Sequence, residues 1–205
     1  MTTLLQFNQV VLDKDHTLSF SVAAGETCVL KVPSQEAKIT FIDLALGEVA
    51  PLEGEILLSG KLLDMSNPGI IGWVPATGGL ISNLKTWENV TLPLWYHGML
   101  QDAATEQTVT RWLLELQFDQ QEWEKFMASP AARLSQRERK MAGLLRALVQ
   151  APKLLLVDDG LFDEVDAASV KIWVAVLEKF VQENNERAVL VVASSSTALP
   201  WNIIE

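Results

Sequence analysis

"TCVLKVPSQEAKITFIDLAL", residues 27–46, sets the reading of the whole chain. Thr27-Cys28-Val29-Leu30 is a short apolar run of the kind that forms a buried strand. Phe41 to Leu46 is a mixed run that reads as helix, and Gly47 stands where glycine commonly ends one. Between them lies "KVPSQEAKIT" (31–40), in the place a strand-to-helix phosphate loop takes, but without a glycine. Either such a loop has lost its glycines here, or none was ever present.

Upstream, Leu4–Leu12 and Leu18–Val22 alternate as strands around the polar turn Asp13-Lys14-Asp15-His16, and Ala24-Gly25-Glu26 is a second turn. Downstream, Glu53-Gly54 turns into a strand over Glu55–Ser59, Gly60 turns again, and Ile70–Val74 is a strand closed by Pro75. From Asp102 to Phe126 the apolar residues Val109, Trp112, Leu113 and Leu116 recur at helical spacing, with Pro93 before the segment and Pro130 after it. Lys153–Val157 is a buried strand ending in Asp158-Asp159, and Ala188–Val192 another, ending in Ala193-Ser194-Ser195-Ser196. Between those two strands, Val170, Trp173, Val174, Leu177 and Val181 form a helical stripe. This order implies an α/β fold: a parallel sheet core, an N-terminal antiparallel β part and a helical subdomain at about 85–150, within one domain over 1–205.

The bulk properties narrow the function. Of 205 residues, 49% are hydrophobic and 20% charged, which supports a sizeable core and argues against disorder. No apolar run nears the ~20 residues that span a bilayer, and Met1-Thr2-Thr3-Leu4 lacks the basic start of a signal peptide. The single Cys28, in an apolar run, reads as a small hydrophobe; the cytoplasm is the expected compartment. A net charge of −10, with 16 basic residues scattered among 26 acidic ones, argues against nucleic acid as a partner. Seven tryptophans fit either a surface buried against a partner subunit or a Trp-rich core.

The order and spacing of these segments resemble the nucleotide-binding subunit of ATP-binding-cassette (ABC) transporters over nearly the whole chain. The family's phosphate loop, G-P-S-G-S-G-K-S-T, is matched by Val32-Pro33-Ser34-Gln35-Glu36-Ala37-Lys38-Ile39-Thr40. "LEGEILLSGK" (52–61), "IGWVPATGGLISNLKTWENVTLPL" (71–94), "LSQRERKMAGLLRALVQAPKLLLVDD" (134–159) and "AVLVVASSS" (188–196) resemble later family segments in order. The "ENVTLPLW" wording is nearest to ATPases of lipid and lipoprotein transport. Family members ordinarily continue past the last of these strands, so an ending at Trp201–Glu205 is expected to go with reduced demands on the subunit.

The resemblance implies a P-loop-type ATPase fold, ATP and Mg²⁺ as ligands, and two partners: a membrane permease subunit and a second ATPase subunit. It also implies a place at the inner face of the membrane. Val32, Gln35 and Ala37 stand where the family has glycine; a left-handed backbone there costs roughly 1–2 kcal/mol per residue. Glu36 adds a carboxylate, and two unit charges about 4 Å apart repel by about 4 kcal/mol at an effective dielectric near 20. That is about the difference between micromolar and millimolar binding, so binding is expected to suffer.

Ser34, Lys38 and Thr40 remain as nucleotide-binding candidates, Lys38 alternatively being a helix-start lysine on a solvated face. Ile39 replaces the Mg²⁺-holding hydroxyl, Ala76 the glutamine, and Ser194 the histidine; Lys14 or a neighbour occupies the region where an aromatic residue would stack on adenine. The catalytic and metal candidates are Asp158 and Asp159. Aligned from the signature side, Asp158 is the Mg²⁺-side carboxylate and Asp159 replaces the catalytic glutamate; aligned from "LFDEVD", Asp159 is that carboxylate and Gly160 the replacement. In the signature segment, Ser135 and Arg137 are candidates for contact with a partner's ATP, while Ser135 with Glu138 also spells a helix-capping box. Trp87, Glu88 and Asn89 fall in the region that meets the permease in this family, with core packing as the alternative for Trp87 and Trp95. His16 and His97 have no neighbours that would make them metal ligands.

The parallel losses point to a degenerate subunit that completes a dimer and docks on a permease. The alternatives are a working ATPase built on Lys38, Thr40 and Asp158 or Asp159, and a soluble regulator that has kept the fold.

Overall fold

Apolar residues at alternate positions, broken by the charged Asp13–His16 turn, fold the N-terminus back on itself as β1 (Thr3–Val11) and β2 (Thr17–Ala23). The computed structural model describes residues 2–63, 70–195 and 198–204; Ser196 and Glu205 lie outside the described residues. After β3 (Thr27–Lys31) come α1 (Gln35–Leu46), β4 (Glu55–Leu58), β5 (Lys61–Leu62) and β6 (Ile71–Val74). The helices α2 (Thr86–Tyr96), α3 (Asp102–Glu115), α4 (Trp123–Ala128) and α5 (Gln136–Gln150) follow, then β7 (Leu154–Asp158), α6 (Ala167–Gln182), β8 (Ala188–Ala193) and β9 (Asn202–Ile204).

The antiparallel sheet runs β2-β1-β4-β5 and the five-stranded sheet β6-β7-β8-β3-β9. In the second, β3 pairs in parallel with β8 on one side (Val29 opposite Val191) and with β9 on the other (Val29 opposite Ile203). β9 was not visible in the sequence, where the C-terminal residues read as a tail.

The chain divides into two compact units, with the division running across β6 and β7. One comprises Met1–Ile71, Lys153–Leu156 and Phe180–Glu205; the other comprises Gly72–Pro152 and Val157–Lys179. In the first, Phe7 of β1 stacks on Phe20 of β2 and on Phe41 of α1, each at 5.0 Å between ring centres. That aromatic stack fixes α1 on the antiparallel sheet, and Cys28, Val29 and Leu30 are buried in the neighbouring sheet.

In the second unit, α5 packs against α2 and α3, and α2 against α4. Trp112 and Trp173 are core residues, whereas Trp95 is largely exposed. Pro93, read from the sequence as the boundary before a helical segment, lies inside α2. The His97 N–H still bonds the Pro93 carbonyl at 3.1 Å, so the helix continues past it.

Candidate functional site

The loop after β3 is shorter than its sequence suggests. Ser34 takes an extended conformation (φ −153°, ψ 170°), and its hydroxyl accepts the Ala37 N–H at 3.1 Å. With that cap in place, Gln35-Glu36-Ala37-Lys38 are all good helix formers, and α1 begins at Gln35 rather than near Phe41. No residue from 31 to 40 has a positive φ. The strain expected of Val32, Gln35 and Ala37 in a glycine-shaped loop is therefore absent, because the backbone does not adopt that shape.

The side chains follow from this start. Glu36 lies in the first turn, where a carboxylate meets the positive end of the helix. Gln35 Oε1 accepts a hydrogen bond from Ser194 Oγ, just beyond β8, at 3.0 Å. Ile39 is 53% exposed, and the Thr40 hydroxyl donates back to the Glu36 carbonyl at 3.2 Å. Lys38, one alternative for which was a solvated face, is only 4% exposed: its position in the first turn of α1 faces inward.

In the second unit, Asp158 is the buried last residue of β7, and its Oδ1 accepts the Gly160 N–H at 2.9 Å. This caps a short 3₁₀ turn over Asp159–Phe162, on which Asp159 is half-buried. Gly160 lies against Ala76: a Cβ added to it would come 2.8 Å from the Ala76 Cβ and 3.1 Å from Asp158 Oδ1. The two positions where the family would have its glutamine and, in one alignment, its glutamate are thus packed together with no room for a longer side chain at 160.

Lys140 is a residue that sequence reasoning passed over. It is 3% exposed on α5, and its ammonium donates to the carbonyls of Gly160 (2.8 Å) and Asp163 (2.6 Å). Burial pushes this ammonium below the ordinary lysine range, while Asp163, Glu164 and Asp158 pull it back up. Lysine within an amphipathic helix ordinarily reads as surface, so no local signal marks it.

The signature segment forms a capping box on α5. The Ser135 hydroxyl accepts the Glu138 N–H at 3.3 Å and donates to the Glu138 carboxylate at 2.6 Å, and that carboxylate takes the Ser135 N–H at 2.7 Å. Arg137 Nε donates to Ser169 Oγ at 3.1 Å, and Arg137 lies 3.8 Å from the Asp166 carboxylate. Hydrogen bonds from the Ser169 hydroxyl and backbone, with Arg137 adding charge, hold Asp166 below the usual carboxylate range.

The three coupling candidates separate. Asn89 is wholly buried, its amide bonded to both the N–H and the carbonyl of Ile81, so it shapes the preceding loop and cannot itself meet a partner. The Glu88 carboxylate accepts the Lys85 N–H at 2.7 Å at the start of α2. Trp87 is half-buried and lines a trough with α3 and α4.

Residues 16–161 match the family model of the ABC transporter. The chain is 27% identical over 180 residues to the molybdenum import ATP-binding protein ModC of Mycobacterium tuberculosis, covering 82% of this chain and 47% of that one. It is 27% identical over 175 residues to the lipoprotein-releasing system ATP-binding protein LolD of Psychrobacter arcticus, covering 80% and 75%. The chain thus spans about half the length of the molybdenum relative. A bacterial ABC transporter cassette solved in dimeric form superposes with a TM-score of 0.74 at 20% identity, over 92% of this chain and 88% of that one.

Proposed function

From a chain that belongs to the ABC transporter family, we propose a subunit that holds the place of an ATP-binding component in a transport complex without turning over ATP. It pairs with a second ATPase subunit, competent or identical, and docks on a membrane permease at the cytoplasmic face. Among the described residues no helix is long and apolar enough to cross a membrane.

The observation that carries this reading is that α1's N-terminus is already served by the chain itself. Ser34 caps it, Glu36 supplies the negative charge, and Gln35 is bonded to Ser194. The side chains there do not fit a magnesium-bound triphosphate. Ile39 has no oxygen to offer the metal, the Thr40 hydroxyl is bonded to a backbone carbonyl, and Glu36 repels phosphate. On the signature side, Ser135 is used by Glu138, whose carboxylate would also oppose a partner's γ-phosphate.

Calorimetric titration with ATP and Mg²⁺ tests the proposal. The expected result is no binding tighter than about 100 μM, roughly −5.5 kcal/mol; tighter binding that Lys38→Ala abolishes overturns it. Co-purification from detergent-solubilised membranes tests the transport half, and a chain recovered without a membrane partner favours a soluble regulator instead.

A further inference from the structure

Separate chain segments of the first compact unit converge on one recess of about 620 Å³. They are Thr2 and Thr3 where β1 begins, the turn between β2 and β3, Ser59 between β4 and β5, Lys153 before β7, and Asn185 and Glu186 before β8. The recess thus lies at the N-terminal ends of β3 and β8, whereas Gln35 and Ser194 follow their C-terminal ends. Those strands have 5 and 6 residues, which at about 3.3 Å each puts roughly 15–20 Å between the recess and the start of α1.

The chain makes little use of the polar groups there. Among the described residues, the Thr2, Thr3 and Ser59 hydroxyls and the Asn185 side-chain amide make no hydrogen bond to another protein group. Lys153 Nζ stands 3.7 Å from Glu186 Oε2, too far for a hydrogen bond, with the two side chains 51% and 70% exposed. So loose and exposed a pair contributes little on its own, and each member is placed to take a closer partner. A ligand of one charge is disfavoured: an anion on Lys153 meets Glu186, and a cation on Glu186 meets Lys153. None of the described lining residues is aromatic, so no ring offers a stacking face to a nucleobase or a sugar.

We propose that this recess binds a free α-amino acid as its zwitterion. The ligand carboxylate accepts from Lys153, its ammonium donates to Glu186, and the surrounding hydroxyls and the Asn185 amide complete the hydrogen bonds. Two charge-assisted hydrogen bonds in place of one distant ion pair supply the affinity. The opposed charges reject ligands that carry only one of the two groups. The site is separate from the nucleotide position and does not depend on whether ATP binds.

The test titrates the ¹⁵N-labelled intact chain with each common L-amino acid in turn, up to about 10 mM, while the amide signals of Gly25, Ser59 and Asn185 are followed. At least one amino acid is expected to shift these signals to saturation. Its N-acetyl and methyl-ester derivatives, each keeping one charge, are expected to bind at least about tenfold more weakly. Lys153→Gln and Glu186→Gln are each expected to weaken binding by a similar factor with an unchanged thermal midpoint, while Glu48→Gln leaves binding as it is. No saturating shift with any amino acid, equal binding of the blocked derivatives, or binding that survives both substitutions overturns the proposal.

Discussion

Ser194 Oγ donates a 3.0 Å hydrogen bond to Gln35 Oε1, joining the end of β8 to the first residue of α1. By family position these residues replace a histidine that would face a nucleotide and a glycine that would curl around one. Here they face each other. A direct hydrogen bond between two neutral, accessible side chains contributes about 0.5–1.5 kcal/mol at most. A double-mutant cycle with Ser194→Ala and Gln35→Ala, read by urea denaturation, is expected to give a coupling in that range. Breaking the bond alone is not expected to bring ATP binding back, since Glu36 and Ile39 remain.

The signature segment gives a second prediction, one that separates structure from catalysis. Because the Ser135 hydroxyl caps α5 through the Glu138 N–H, Ser135→Ala is expected to cost about 1 kcal/mol of stability. Glu138→Ala, which removes the reciprocal bond to the Ser135 N–H, is expected to act in the same direction. Neither is expected to alter ATP turnover by a complex containing this chain. A fall in turnover without a fall in stability would assign Ser135 to a partner's nucleotide instead.

How far such features were legible beforehand depended on how local they are. Gly47 ends α1 at φ 74°, and Ser135 with Glu138 starts α5, both as the sequence indicates, because caps are written within a few residues. The start of α1 at Gln35 is ambiguous in the sequence because the missing glycines read as damage to a loop, whereas Ser34 followed by strong helix formers also spells a helix start. β9 escaped notice because Asn202-Ile203-Ile204 is too short to signal a strand without its neighbour β3. The Ser194–Gln35 bond spans 159 positions, and the burial of Lys140 depends on the turn after β7; no sequence window holds either.

Lys140 carries a pH prediction. Its folded-state ammonium titrates below the ordinary lysine value of 10.5 because of burial, so between that lowered value and 10.5 the unfolded chain binds more protons. Stability contributed by this group therefore rises with pH across that window and is flat below it. Lys140→Met removes the rise, which is read as the difference between wild-type and variant denaturation midpoints as the solution is made alkaline. At neutral pH the variant also leaves the Gly160 and Asp163 carbonyls short of a donor, with an expected loss of about 1–3 kcal/mol.

The close approach of Gly143 on α5 to Gly78 gives the sharpest stability test. A Cβ on Gly143 would lie 2.3 Å from the Gly78 carbonyl oxygen, and one on Gly78, which has φ 84°, would lie 2.1 Å from the Arg139 carbonyl oxygen. Both obstacles are backbone, which cannot rotate aside as a side chain can. Arg146 ties the same loop to α5, donating to the Gly79 carbonyl at 2.7 Å and the Gly78 carbonyl at 3.2 Å. Inside an ordinary helix, Gly→Ala gains roughly 0.8–1.0 kcal/mol of propensity. At Gly143 the forced separation outweighs that gain, and Gly143→Ala is expected to destabilise the chain by about 1–3 kcal/mol. Chemical denaturation of the variant decides: a gain in stability would mean that the loop after β6 does not cross α5 at this glycine.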